Sequence, residues 1–245
     1  MIAKMQENNK IHSYDDFIEA LLSAGFCMGN SNSEGIYAIL EWEWNEEPTY
    51  DTPVRWYTGD PVTDPNEWIS RALGERNDIT YGKLFFKKSG YITKDWFPYF
   101  LAARRGGLEF NEAYDDGLIS NFAKRIYDVV SANEILAVEE IKRLGGFSRE
   151  SKSGFDRALT ELQMKLFISP CGRRYKISKK GEEYGMASTV FCTTERFWGE
   201  EVFEKAAKIS EDEAVEKIRA QVLTLNPAAD DKKIIKFILG GAAFR

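Results

Sequence analysis

Few residues in this chain could do acid–base or nucleophilic chemistry. His12 is the only histidine among 245 residues. That excludes a Ser–His–Asp triad and a multi-histidine metal site. Cys27, Cys171 and Cys192 are odd in number and far apart, with no C-x-x-C pair. Reduced thiols are therefore expected, not disulfides. Cys192 lies in the strand-like run "STVFCTTE" and has no histidine partner, so it reads as buried and not nucleophilic. One stretch, "RWYTGDPVTDPNEW", sets Asp60, Asp64 and Glu67 between Trp56 and Trp68. A carboxyl group against an indole can have its pKa raised and serve as general acid or base. Asp64 is better explained as a helix cap and Glu67 as its capping-box partner. Asp60 is left as the one catalytic candidate, balanced against a turn role before Pro61. Gly106-Gly107 and Gly145-Gly146 read as helix stops, not phosphate loops. Neither a cofactor nor a metal is expected.

Cationic chemistry is better supported. Arg149, Lys152, Arg157, Lys165, Arg173, Arg174, Lys176, Lys179 and Lys180 face only Glu150, Asp156 and Glu161 over the same stretch. This local +6 sits in a chain of net charge −6, so everything else sums to −12. The overall charge argues against a surface coated with nucleic acid, but the potential at a site depends on distribution. Each phosphate contact here would release counterions and make binding salt-dependent. If Tyr175 and Ile177 face a core, strand alternation turns Arg174 and Lys176 outward. Arg157 and a helix start at Lys152-Ser153 could meet phosphate together. Asp156 and Glu161 repel phosphate, which favours backbone gripping over base reading. Expected nucleic-acid contacts are thus Arg149, Lys152, Arg157, Arg173, Arg174, Lys176, Lys179 and Lys180. The plain alternative is a solvated basic face on a protein-docking module. Lys83, Lys87, Lys88, Lys94, Arg104 and Arg105, opposed between residues 81 and 105 only by Asp95, either extend the track or pair with acidic loops of their own domain.

These side chains need elements to hold them. A chain that is 43% hydrophobic and 29% charged is an ordinary globular one, long enough for one large or two small domains. "SYDDFIEALLSAGF" reads as a helix capped by Ser13 and stopped by Gly25. "EGIYAILEWEW" and "VRWYTGD" read as strands, with a loop between them. Asp64 and Pro65 open a helix over "DPNEWISRALGE". "YGKLFFKKSGYIT" is a strand pair turning near Ser89-Gly90, or a helix followed by a strand. "TKDWFPYFLAARR" is helical, with Pro98 in its first turn. Further on, "GLISNFAKRIYDVV" and "EILAVEEIKRL" carry helical stripes, the second capped by Ser131 or Asn133 with Ile135, Val138, Ile141 and Leu144 inward. Ser153-x-x-Asp156 is a capping box for a helix with Phe155, Ala158, Leu159, Leu162 and Leu166 on one face. Two strands joined at Cys171-Gly172 follow. Helix, helix, helix, strand, turn, strand is the order of a winged helix-turn-helix. The tail helices, one opened by Ser210-x-x-Glu213, form a partial second helix-turn-helix or supports packed on the wing domain. The expected class is α+β, with an N-terminal α+β region (13–108), a winged-helix domain (109–200) and a C-terminal helical segment (201–245). No apolar run approaches the ~20 residues of a membrane span, and "MIAKMQENNK" lacks a signal-peptide core, so a cytoplasmic location is expected.

The run from "GLISNF" through "FDRALTELQMKLFISPCGRRYKISKKGEEYGMASTVFCTTERFW" resembles the AlkZ/YcaQ-type winged-helix proteins, and more closely their AlkZ-related branch. "WYTGDPVTDPNEW" and "KLFFKKSGYITKDWFPYFLAARR" resemble the N-terminal part of that branch. The resemblance implies winged-helix modules set around DNA. Characterised relatives are monofunctional DNA glycosylases acting on bulky or cross-linking alkyl lesions, with a Gln-x-Gln or Gln-x-Asp pair placing the attacking water. The nearest match here is Gln163-Met164-Lys165, whose third residue is a cation that cannot accept the water's proton. The expected function is therefore DNA binding without catalysis. The alternatives are a divergent glycosylase using Asp60 and a protein-interaction module.

Overall fold

Two three-stranded antiparallel sheets organise the chain, one in the sequence-predicted α+β region and one in the winged-helix region. The structure is a computed structural model that describes residues 10–29, 31–178 and 180–240, with the backbone alone at 176, 177, 183 and 186. Ser13 Oγ accepts the Asp16 N–H at 3.2 Å and opens α1 (Tyr14–Ala24), which Gly25 ends at φ +88°. β1 (Phe26–Met28) follows.

The next segment corrects the sequence reading. Among the described residues, "EGIYAILEWEW" and "VRWYTGD" form no strand, only a single parallel bridge from Met28 to Ala38. Leu40, Trp42 and Val54 are buried all the same, as side chains of a loop laid over the core. Apolar spacing reported burial here, not a ladder. α2 (Pro65–Glu75) begins as expected at Asp64. Glu67 does not complete a capping box, because the Asp64 N–H donates to the Asp60 carbonyl at 2.9 Å. β2 (Ile79–Phe85) and β3 (Lys88–Thr93) turn at Phe86-Lys87, earlier than Ser89-Gly90, with φ of +52° and +63°. Both central residues are left-handed, as a tight two-residue hairpin loop requires. Alternation along the sheet, ordered β1-β3-β2, sends Phe26, Met28 and Ile92 to one core and Cys27, Tyr91 and Ile79 to another. α3 (Phe97–Arg105) takes Pro98 in its first turn without loss.

A short α4 (Phe110–Asp115) precedes α5 (Asn121–Ser131), which starts after Leu118 and Ile119 because Ser120 caps it. The expected helix "EILAVEEIKRL" begins as a strand: Leu136 and Ala137 form β4 by pairing with Phe191 and Val190. Only Val138–Leu144 is helical (α6), and Ile135 and Leu144, expected inward, are exposed. α7 (Lys152–Met164) already contains Ser153, so no Ser153-x-x-Asp156 box exists. β5 (Ile168–Ile177) and β6 (Glu183–Thr193) are longer than expected. Cys171-Gly172 is a bulge inside β5, not the turn, which lies at 178–182. Tyr175, expected in the core, is exposed. With sheet order β4-β6-β5, the sequence α5–β4–α6–α7–β5–β6 is a winged helix-turn-helix.

The tail forms α8 (Thr194–Trp198), α9 (Glu200–Ala206), α10 (Glu211–Leu225, capped by Ser210) and α11 (Asp231–Ile238, capped by Asp230). Their buried residues, including Val202, Ile218, Ile234 and Phe237, share a core with Phe26, Phe85, Phe97 and Phe100. They complete the N-terminal layer, and α8 also touches the winged helix, where Arg196 donates to the Asn133 carbonyl at 2.6 Å. Among the described residues no helix is long and apolar enough to cross a membrane.

Candidate nucleic-acid interface

α7 commits Phe155, Ala158 and Leu162 to the winged-helix core. Helical geometry then places Lys152, Ser153, Asp156, Arg157 and Thr160 on other faces, where they wall a cleft of about 870 Å³. Lys87, from the left-handed β2–β3 turn, and Leu239-Gly240, just past α11, form the rest of its rim. Arg149, Lys152, Arg157, Lys165 and Lys87 converge here on Glu150, Asp156 and Glu161. Glu161 is already engaged: it accepts the Ser120 N–H at 3.1 Å and the Ser120 hydroxyl at 2.7 Å, and lies 3.7 Å from Lys165 Nζ. Lys165 also donates to the Leu118 carbonyl. Burial pulls the Lys165 pKa down, and Glu161 opposes that pull.

Two smaller hollows, each about 240 Å³, lie beside this cleft and share lining residues in turn. The first shares Lys87 with it and adds Lys83, Lys88, Glu43 and serines. The second shares Lys83 and Ser89 with the first and adds Arg173, Tyr81 and Gln163. Eight cations line the three together, against Glu43, Glu150, Asp156 and Glu161.

The expected contact residues divide. Arg149, Lys152 and Arg157 are exposed in the cleft. Arg173 turns off the wing and donates to Ser70 Oγ of α2 at 2.8 Å. Arg174 is exposed and pairs with Glu140 at 3.1 Å. Lys180 is exposed at the hairpin turn, whereas Lys179 and the side chain of Lys176 lie outside the described residues. The second basic group divides too. Lys83, Lys87 and Lys88 line the first of the smaller hollows, with Lys88 2.6 Å from Glu34. Lys94 pairs with Glu201 at 3.0 Å and Arg105 with Glu195 at 2.9 Å. Arg104 is buried and donates to the carbonyls of Leu84, Met164, Phe237 and Ile238 at 2.7–2.9 Å.

Asp60 is fully exposed. Its carboxylate accepts the Thr63 hydroxyl at 2.7 Å and the Val62 N–H at 2.9 Å. Those bonds hold its pKa below the ordinary carboxylate range, the reverse of what a neutral-pH general acid needs. The local indole, Trp68, is buried beneath the turn and donates to the Val62 carbonyl at 3.1 Å. Gln163 is 4% exposed. Its Oε1 accepts the Lys83 N–H at 3.0 Å and its Nε2 donates to the Leu159 carbonyl at 3.0 Å. Gln163 lines the hollow with Arg173, whereas Lys165 lines the cleft. The Gln-x-Lys pair thus faces two different spaces. Among the described residues no three His, Cys, Asp or Glu side chains are gathered for a metal.

Sequence reasoning missed Leu239-Gly240 and Tyr81 as wall residues. Neither carries a local signal, since each joins the site only through the packing of distant segments. Among curated proteins no relative matches. Among solved structures the chain is similar to the Streptomyces sahachiroi DNA glycosylase AlkZ at 13% identity and a TM-score of 0.40, over 71% of this chain and 50% of that one. It therefore spans half the length of that protein. The sequence model of the AlkZ-related family matches residues 11–239, nearly the whole chain, and the protein belongs to that family.

Proposed function

We propose that this protein binds duplex DNA by gripping the phosphate backbone along the α7 cleft and the β2–β3 turn, without releasing a base. The observation that carries the reading is that Arg149, Lys152 and Arg157 line the same cleft as Lys87, and that Lys87 and Lys83 line the neighbouring hollow together. These residues come from segments remote in sequence, and only the fold lines them up. Membership of the AlkZ-related family makes DNA the polyanion of choice. Asp156 and Glu150 on the same walls oppose close approach to base edges and favour contact at the phosphates, where cations position a duplex without reading it. Two features support binding without hydrolysis. Both ends of the Gln163 amide are bonded to backbone, and the residue two positions on is a lysine held by Glu161 and a carbonyl.

The test is a fluorescence-anisotropy titration of an undamaged duplex across a range of salt. The Arg149→Ala/Lys152→Ala/Arg157→Ala variant should weaken binding and flatten the log–log salt dependence by roughly 0.9 for each phosphate no longer neutralised. Lys94→Ala, off the track and paired with Glu201, should change neither. An unchanged slope in the triple variant rejects the assignment. Release of free base from alkylated duplex by the wild type, above a no-protein control, rejects the non-hydrolytic half of it.

A further inference from the structure

Arg173 was expected among the nucleic-acid contacts of the wing. Instead it reaches across to the N-terminal layer, where the side chain is half-buried. Among the described residues its guanidinium makes one hydrogen bond, to the Ser70 hydroxyl, and no carboxylate lies within 4.0 Å of it. A guanidinium has five N–H donors, so most of its capacity is unspent. Partly desolvating such a group without an anion is unfavourable, and many arginines elsewhere in this acidic chain do find one, as Arg55, Arg71, Arg76, Arg105, Arg174 and Arg219 do. The hollow that Arg173 lines, of about 240 Å³, contains no carboxylate at all. Its other charged residue is Lys83. Its polar groups are the hydroxyls of Tyr81, Ser89 and Thr189, beside a Gln163 amide already bonded to backbone at both ends, and the remaining walls are apolar, from Ile69 and Leu73 of α2 to Leu159 and Phe191 of the winged helix. Apolar walls with a few converging polar groups and one uncompensated cation are the make-up of a small-ligand site.

We propose that this hollow, at the seam between the N-terminal layer and the winged helix, is a binding site for a small organic oxyanion: a compact apolar body carrying one carboxylate or phosphate, with Arg173 as its anion anchor. The guanidinium fork matches either oxyanion in a bidentate way, and Lys83 adds a second positive charge at the opening. The site shares Lys83 with the proposed DNA track but none of the cleft cations Arg149, Lys152 and Arg157, so the two can be tested apart.

Phenyl phosphate, benzoate and the neutral isostere benzyl alcohol serve as probes for the intact protein. Binding is followed by ligand-observed saturation-transfer NMR and by calorimetric titration. The expected result is saturable binding of one or both anions, weaker binding of benzyl alcohol, and a loss of roughly tenfold or more in affinity on Arg173→Gln, the scale of a lost charged hydrogen bond. Arg173→Lys keeps the charge but not the fork, and should fall between the two. Arg149→Ala should leave anion binding unchanged while weakening DNA. Preference between phenyl phosphate and benzoate assigns the oxyanion. The proposal is overturned if neither anion binds the wild type, if benzyl alcohol binds as well as both anions, or if a folded Arg173→Gln protein retains full affinity. Loss of DNA binding in the cleft variants with anion binding intact would separate this site from the DNA track.

Discussion

Arg104 is the residue whose removal should do the most damage. It is 2% exposed, and among the described residues no carboxylate pairs with it. Its guanidinium instead donates to four carbonyls: Ile238 at 2.7 Å and Phe237 at 2.9 Å in the last turn of α11, Met164 at 2.8 Å at the end of α7, and Leu84 at 2.9 Å on β2. One side chain thus caps two helix C-termini, where unsatisfied carbonyls and the helix dipole favour a cation, and ties both to the first sheet. Burial pulls its pKa down, to about 9, which still leaves it charged at neutral pH. Arg104→Met would fill much of the space but take the guanidinium donors from all four oxygens, leaving the Phe237 carbonyl with the 3.4 Å bond from the Gly240 N–H. Breaking a buried charged network of this kind costs about 3–5 kcal/mol, a large share of the ~5–15 kcal/mol that holds a typical domain together. For a chain this long that is a fall of about 6–20 °C in Tm. Arg104→Lys keeps the charge, but a single ammonium cannot span carbonyls on three elements, so it should recover only part of the loss. Urea melts measure the free energies, and amide hydrogen exchange at Phe237–Gly240 reports whether the end of α11 loosens first. Because Met164, Leu239 and Gly240 line the α7 cleft, loosening there should also weaken DNA binding. A folded Arg104→Met protein within ~1 kcal/mol of wild type would show that water satisfies these carbonyls and would refute the tying role of Arg104.

Four smaller perturbations test other parts of the structure. Ser120→Ala removes the cap on α5 and the hydroxyl that holds Glu161; urea melts should show a loss of about 1–2 kcal/mol, and wild-type stability would deny the cap its role. Cys171 is half-buried, and the Cys192 thiol beside it, with Arg174 and Arg196, lowers its pKa, whereas Cys171 and burial raise that of Cys192; peptide mapping after brief iodoacetamide treatment should find Cys171 modified first, ahead of Cys27 and Cys192. Lys88 holds the Glu34 pKa below its ordinary value of 4.5, so this pair's contribution is complete above that pH and fades as pH falls through the lowered value; Glu34→Gln should flatten the acid side of the stability profile, and an identical profile would refute the pairing. Asp60→Asn, at an exposed turn, should leave DNA affinity and its pH dependence unchanged, and a bell-shaped profile lost in this variant would restore Asp60 as a functional acid.

Capping chemistry made much of the fold legible. Ser13, Asp64 and Ser210 each accept the helix N–H that their position in the sequence implied, because an N-cap is decided by residues within one turn. The order of the winged helix-turn-helix also came through, since long amphipathic stripes survive any error in their ends. Ladder partners did not. "EGIYAILEWEW" has strand composition but pairs only through one bridge, Ala38 to Met28, and "EILAVEEIKRL" begins as β4 only because Phe191 and Val190 lie beside it. Propensity records how a side chain suits a half-buried surface; pairing is a fact about another segment.

The same distinction explains the site. Charge counting along the chain found the cations but could not say which face they share. The wing was expected to carry the patch, yet Arg173 turns inward and the exposed Arg174 meets Glu140; Tyr175, from which the alternation was read, is exposed where the ladder register shifts between Arg174 and Lys176. Meanwhile Lys87 reaches the α7 cleft through a hairpin turn whose left-handed residues are neither glycine nor asparagine, so no turn signal announced it. Backbone held in that region by two ordinary residues is disfavoured, and here it coincides with the point where the cleft and the neighbouring hollow meet. Replacing Phe86-Lys87 by Asn-Gly would relieve the backbone and delete the cation together, whereas Lys87→Asn would delete the cation alone. If the turn matters only as a loop, both variants bind DNA as the wild type does and the first is the more stable. If Lys87 joins the two concavities into one phosphate path, both lose the same share of the salt slope despite their difference in stability, and that coincidence ties the strained turn to the path and not to the loop.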